Sequence, residues 1–172
     1  MARKKDWPEQ AFGFGAFYFA YYSFVGVFPA YVTLYLSFRE IGPFEIGMLM
    51  AVMQGTRIIG PTLWGWLADL TGRRDRMLQL TAAAALVVFI GFFFPGTFWY
   101  FIIFMFAVNI FTSAQGPLSD TLILGEMRSD MSRYGQLRLW GSIGYIVMTA
   151  IAGYIFEKAG IACMPWLGAA IL

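Results

Sequence analysis

The chain contains no histidine and a single cysteine, Cys163. Without histidine it lacks the usual imidazole pH switch, the commonest zinc ligand and the base of a nucleophilic triad. One cysteine excludes an intrachain disulfide. Charge is scarce as well: Asp, Glu, Lys and Arg together make up 13% of the 172 residues, where ordinary globular chains carry about 25%. Apolar residues reach 59% and aromatics 19%, too much apolar surface for so few polar groups to cover. Lipid-facing surface removes that difficulty, so the composition is that of a polytopic membrane protein. A net charge of +2 is too small to imply a nucleic-acid partner. No nucleotide-binding loop, metal-ligand cluster or nucleophile–base spacing is present, so neither direct use of ATP nor an enzyme is expected, and no cofactor.

What the chain does have is long apolar runs, and about 20 such residues cross a hydrocarbon core. The predicted class is all-α, a multi-pass transmembrane bundle with helices at about 10–38, 44–70, 77–94, 97–124, 135–156 and 161–172. The basic start, Met1-Ala-Arg-Lys-Lys, resembles a signal-peptide n-region. The uncharged run from Gln10 to Phe38 is far longer than an h-region of about 7–15 residues, so it reads as a retained first helix. Eleven aromatics lie between Phe12 and Tyr35, expected at packing or lipid-facing positions, and Pro29 should bend this helix. Ile161 to Leu172 is about half of a span. Residues 1–172 are therefore expected to form one N-terminal transmembrane domain with an incomplete sixth helix.

Orientation follows from where the cations fall. One side holds Arg3, Lys4 and Lys5, then Arg73, Arg74 and Arg76, then Arg128, Arg133 and Arg138, while the other holds only Arg39 and Lys158. The rule places the N-terminus and the links after the second and fourth helices in the cytoplasm, with the chain in the cell (inner) membrane.

The second helix ends in Gly65-x-x-x-Asp69-x-x-Gly72-Arg73-Arg74. Gly65 would let the helix pack closely, and Gly72 permits the positive φ of a tight exit. Asp69 at a helix C-terminus is unfavourable to the helix dipole, which calls for a partner outside the helix. Arg73, Arg74 and Arg76 suit anionic lipid headgroups. This pattern, in this place, resembles the signature loop of the major facilitator superfamily. The resemblance implies one six-helix half of a twelve-helix transporter with its substrate site at mid-membrane. It also implies a gating role for Gly65, Asp69, Gly72, Arg73 and Arg74 against a C-terminal six-helix half missing from this chain.

A narrower resemblance follows. Pro117-Leu118-Ser119-Asp120 and Tyr134-Gly135-Gln136-Leu137-Arg138-Leu139-Trp140-Gly141-Ser142 are similar to the branch of lactose, phenylpropionate and nucleoside permeases. It implies that Asp120 and Arg138 hold the substrate and that Tyr145, seven residues after Arg138, stacks on it. Thr56-Arg57-Ile58-Ile59-Gly60 looks like the phenylpropionate side of that branch.

The residues carry a reading of their own. Asp120 and Arg138 lie nine residues either side of Ser129, at equal depth in an antiparallel hairpin, so they can face each other. They form either an internal ion pair that holds the hairpin or part of a binding site. Asn109, Ser113, Gly116 and Asp120 share one helical face, as do Arg138, Ser142, Tyr145 and Thr149. Gly141 and Gly144 read as packing positions, and Asn109 as an interhelical hydrogen-bonding group. Arg57 lies roughly 20 Å from either end of its helix, too deep to snorkel, and an arginine at mid-membrane needs a partner. With two arginines and one deep carboxylate, an anionic substrate group or a carboxylate of the second half would balance the charge.

These features predict a secondary active transporter of a small organic solute working by alternating access, with proton symport as the expected mode. Asp120 is the carboxylate placed to exchange a proton, and Arg57, Asp120, Arg138 and Tyr145 are the substrate-binding candidates. An aromatic carboxylate, a sugar or a nucleoside would fit; drug/proton antiport and a non-transporting membrane scaffold are the alternatives. The expected partners are the small-molecule substrate, protons, membrane lipid and the second half, and no nucleic acid.

Overall fold

The structure, a computed structural model, describes residues 7–126 and 131–172. Arg3, Lys4, Lys5, Arg128 and the side chain of Arg133, all used in the orientation argument, lie outside the described residues or side chains. The described chain is all-α: α1 (Trp7–Phe38), α2 (Pro43–Thr71), α3 (Arg74–Phe89), α4 (Phe98–Glu126), α5 (Met131–Ala159) and α6 (Met164–Ile171). A 3-10 turn at Ile90–Phe93 extends α3, and another at Ile161–Cys163 leads into α6.

Local chemistry sets the ends. At α2, Pro43 occupies the first turn and the Glu45 carboxylate accepts from the Gly42 N–H at 3.1 Å, so two start signals coincide. Its far end closes on Gly72, which adopts φ 61° and donates to the Ala68 carbonyl, as the exit turn requires. The end of α1 makes the same left-handed turn without a glycine. Glu40 sits at φ 63°, with Glu40 N–H on the Ser37 carbonyl and Ile41 N–H on the Leu36 carbonyl. Buried Ile41 and Leu36 complete this cap with an apolar contact. α1 runs unbroken through Pro29, as do α2 through Pro61 and α4 through Pro117.

Four segments are long and apolar enough to cross a membrane: Phe12–Phe38, Arg74–Phe93, Phe98–Gly125 and Tyr134–Ala159. α2 has 29 residues, long enough to span, but Gln54, Thr56, Arg57 and Asp69 make it the more polar helix. It lies along α4, which also packs on α3, while α5 packs along α1 and α6 folds back on α1. α4 and α5, though consecutive, touch little.

The core is aromatic. Phe24 and Phe28 of α1 stack at 5.2 Å, and Phe28 meets Phe89 and Phe92 edge-on at 5.6 and 5.5 Å. Phe92 continues to Phe101 of α4 at 6.1 Å. Much of the aromatic load of α1 is thus interior packing. At one end of the bundle, buried Tyr35 donates to the Phe92 carbonyl at 2.5 Å and accepts from Arg39 Nε at 2.8 Å. Arg39 Nη2 reaches the Phe94 carbonyl at 3.1 Å. A tyrosine and a cation therefore satisfy the open carbonyls where α3 ends.

Candidate functional site

The α1–α5 seam closes because small residues sit where the backbones meet. A Cβ at Gly144 would lie 2.5 Å from the Phe19 carbonyl oxygen, so only glycine allows this approach. Gly141 packs under the Tyr22 ring in the same way, so both glycines serve packing as the sequence indicates. A Cβ at Gly65 would meet nothing within 4 Å, so the close packing expected of it is not used among the described residues; the close approach of α2 to α4 falls at Gly60. There a Cβ would lie 2.0 Å from Ser113 Oγ, and Trp64 Nε1 donates to the Ile110 carbonyl at 2.8 Å beside it.

Next to this contact is a cavity of about 240 Å³ between α1, α2 and α4, lined by Tyr21, Phe24, Phe28, Arg57, Asn109 and Ser113 among others. Arg57 pairs with no carboxylate among the described residues. Asn109 is buried, but its amide donates to the Met105 carbonyl of its own helix at 2.8 Å rather than across helices. Ser113 likewise donates to Ile110 at 3.1 Å. The polar walls of the cavity are thereby held in place from within α4. Tyr21 spans from the cavity to Gly116, where its hydroxyl would sit 3.0 Å from an added Cβ.

One turn along α4 from Gly116, Asp120 accepts a hydrogen bond from Tyr18, whose side chain is 0% exposed. Arg138 Nη1 donates to the Tyr134 hydroxyl at 3.0 Å, and Tyr134 lies beside Tyr18. Asp120 and Arg138 therefore do not meet as an ion pair: two tyrosines stand between them. α5 packs on α1 rather than along α4, and Tyr18 of α1 takes the place beside Asp120. Tyr145 stands on the α1–α5 seam with its ring over Gly26 and 44% of its surface exposed, and it is not among the residues that line the Arg57 cavity. Tyr18 and Tyr21 are the site residues that sequence reasoning missed. In a run of eleven aromatics, nothing marks which rings carry a buried hydroxyl with a polar task.

At the other motif, Arg74 Nη2 and Asp69 Oδ1 meet at 2.7 Å with side chains 45% and 66% exposed. This is the only salt bridge among the described residues, and it gives Asp69 a partner inside its own loop. Gly72 supplies the turn between them, and Arg73 precedes α3 with no side-chain capping bond. Among the described residues no group of three or more His, Cys, Asp or Glu side chains could hold a metal.

Apolar helices around a cavity with polar walls, an arginine at mid-span and a basic loop at one end are the features of a multi-pass membrane protein. Residues 13–172 match the MFS_1 like family, and the chain belongs to it. It is similar to a maltose permease of Geobacillus stearothermophilus, 25% identical over 150 residues, covering 87% of this chain and 38% of that protein. It is 26% identical over 156 residues to a probable 3-phenylpropionic acid transporter of Escherichia coli (strain K12), covering 89% and 41% respectively. An uncharacterized transporter of Bacillus subtilis (strain 168), YwbF, is 24% identical over 145 residues, covering 84% and 36%. The chain spans less than half the length of these curated relatives. No solved structure gives a significant match. The family assignment is that of transporters rather than enzymes, in keeping with the sequence reading.

Proposed function

We propose that this chain is part of a secondary active transporter that carries a small organic anion, with an aromatic carboxylate as its substrate. The observation behind this reading is Arg57, which opens on a cavity walled by Tyr21, Phe24 and Phe28 with no carboxylate partner among the described residues. A planar guanidinium binds a carboxylate through two parallel hydrogen bonds, and aromatic walls accept a flat ring. The likeness to a probable 3-phenylpropionic acid transporter supports the same chemistry. In this reading Arg57 and Arg138 attract the anion, Asp120 exchanges a proton to give symport, and Tyr145 closes the site from α5. Transport proceeds by alternating access against a second six-helix half. The loop of Gly65, Asp69, Gly72, Arg73 and Arg74 latches the cytoplasmic side. The chain resides in the cell (inner) membrane with its N-terminus in the cytoplasm, as its nine cations against two favour.

A sugar substrate is the second reading, favoured by the likeness to a maltose permease. Proton-coupled uptake separates both from drug/proton antiport, in which export would consume the proton gradient, and from a scaffold that carries nothing. The test is uptake of radiolabelled 3-phenylpropionate and maltose by cells expressing the chain together with the second six-helix half, with and without Arg57→Gln. Loss of one charged hydrogen-bonding partner should lower carboxylate uptake roughly tenfold or more. Carboxylate uptake unchanged by Arg57→Gln rejects the proposal, and uptake of maltose alone favours the second reading.

A further inference from the structure

The four groups Asp120, Tyr18, Tyr134 and Arg138 form a sequence across three helices that the anion-binding reading does not by itself explain. A deep carboxylate and a cation on neighbouring helices lower their energy by pairing. Here each is engaged by a tyrosine instead. Tyr18 comes from α1, is fully buried, and donates to Asp120 from 102 residues away in sequence. Tyr134 sits one turn before Arg138 on α5 and occupies one of its nitrogens. Tyr18 also stacks on Tyr22 at 5.9 Å with rings 11° apart, and Tyr22 is seated against Gly141 of α5. The Tyr18 ring therefore has little freedom to follow the carboxylate.

We infer that Tyr18 is a positioning residue that holds Asp120 on the α1 side, so that Arg138 stays unpaired with Asp120 and available to a substrate anion; the substrate part of this rests on the anion-transport reading above. The bond from Tyr18 is charge-assisted, which favours keeping the carboxylate where it is. With the hydroxyl removed, a half-buried carboxylate has lost its donor, and the guanidinium of Arg138, held on the neighbouring Tyr134, is a cation that can replace it. The Tyr18→Phe change would then convert a separated pair into an ion pair and close Arg138 to any incoming anion.

The decisive measurement is the rate at which phenylglyoxal, an arginine-selective reagent, modifies Arg138 in membranes containing the full chain. Peptide mass spectrometry reads that rate relative to exposed Arg73 in the same molecule. Tyr18→Phe should slow Arg138 about threefold, the size of effect a partly exposed ion pair produces, and Tyr18→Phe/Asp120→Asn should restore it. An unchanged ratio in Tyr18→Phe, or no recovery in the double variant, overturns the inference. Should Tyr18→Phe not reach the membrane, Asp120→Asn alone decides. Unchanged Arg138 reactivity agrees with a carboxylate already held elsewhere, and increased reactivity shows that Asp120 was shielding Arg138 all along. A purely structural role for Tyr18 would move Arg73 and Arg138 together and would not be reversed by Asp120→Asn. In uptake, Tyr18→Phe should raise KM for an aromatic carboxylate by the same factor of about three with kcat retained. Absence of any carboxylate uptake by the unaltered chain with its second half would defeat the transport reading and leave the reactivity result standing.

Discussion

Gly144 of α5 lies so close to Phe19 of α1 that a Cβ on it would come within 2.5 Å of the Phe19 carbonyl oxygen. The obstacle is backbone, which cannot rotate away as a side chain can. Gly144→Val should force α1 and α5 apart and cost about 1–3 kcal/mol, the range for overpacking a tight contact. Thermal unfolding of the purified protein in detergent checks this. A variant as stable as the parent would show that the seam tolerates separation.

Glu40 occupies the left-handed position that ends α1, at φ 63°. A side chain there costs roughly 1–2 kcal/mol that glycine does not incur, and part of that gain is lost to glycine's greater freedom in the unfolded chain. Glu40→Gly should therefore raise stability by about 1 kcal/mol. An unfolding measurement showing destabilisation would mean that the Glu40 carboxylate contributes more than its backbone costs.

Tyr35 links the Phe92 carbonyl to Arg39 through one hydroxyl. Tyr35→Phe leaves a carbonyl without its donor and Arg39 Nε without its acceptor, at a cost of about 1–3 kcal/mol. Arg39→Gln removes the outer partner and should cost less, because that side chain is more accessible to water. A double-mutant cycle read by thermal unfolding should give a coupling above about 0.5 kcal/mol. Strict additivity would show that the two residues act independently.

Gly60 and Ser113 meet beside the Arg57 cavity, a Cβ at Gly60 falling 2.0 Å from Ser113 Oγ. Gly60→Ala should displace the serine hydroxyl and reshape the cavity wall. The expected readout is a rise in substrate KM of about two- to tenfold, that is, about 0.5–1.5 kcal/mol for one ordinary hydrogen bond lost or misplaced. Adding Ser113→Ala relieves the clash and should recover stability but not affinity. Recovery of both would make the serine a packing residue only.

The helices were legible because hydropathy over some twenty residues is a long-range average that single residues rarely upset. Gly72 was legible for a different reason: a left-handed exit turn leaves few choices of residue. Glu40 was not, since its turn breaks that preference. Arg57 stood out because a cation in an apolar run has no bland explanation. Asp120 and Arg138 do not pair because a tyrosine engages each of them, and the docking of α5 on α1 brings Tyr18 of α1 between the two. Tyr18 was invisible for a related reason. Its partner is 102 residues away, and a tyrosine among phenylalanines announces packing rather than a donor.

The docking of α5 on α1 also has a consequence in time. The Tyr31 hydroxyl donates at 2.9 Å to the Thr149 carbonyl, 118 residues downstream. At about 5–20 residues per second of synthesis, α1 spends several seconds in the bilayer before its mate is made. During that interval the hydroxyls of Tyr18 and Tyr31 and the groove later filled by α5 must be shielded by lipid headgroups, the insertion machinery or a temporary neighbour. The most tightly matched seam of the bundle is thus among the last to close.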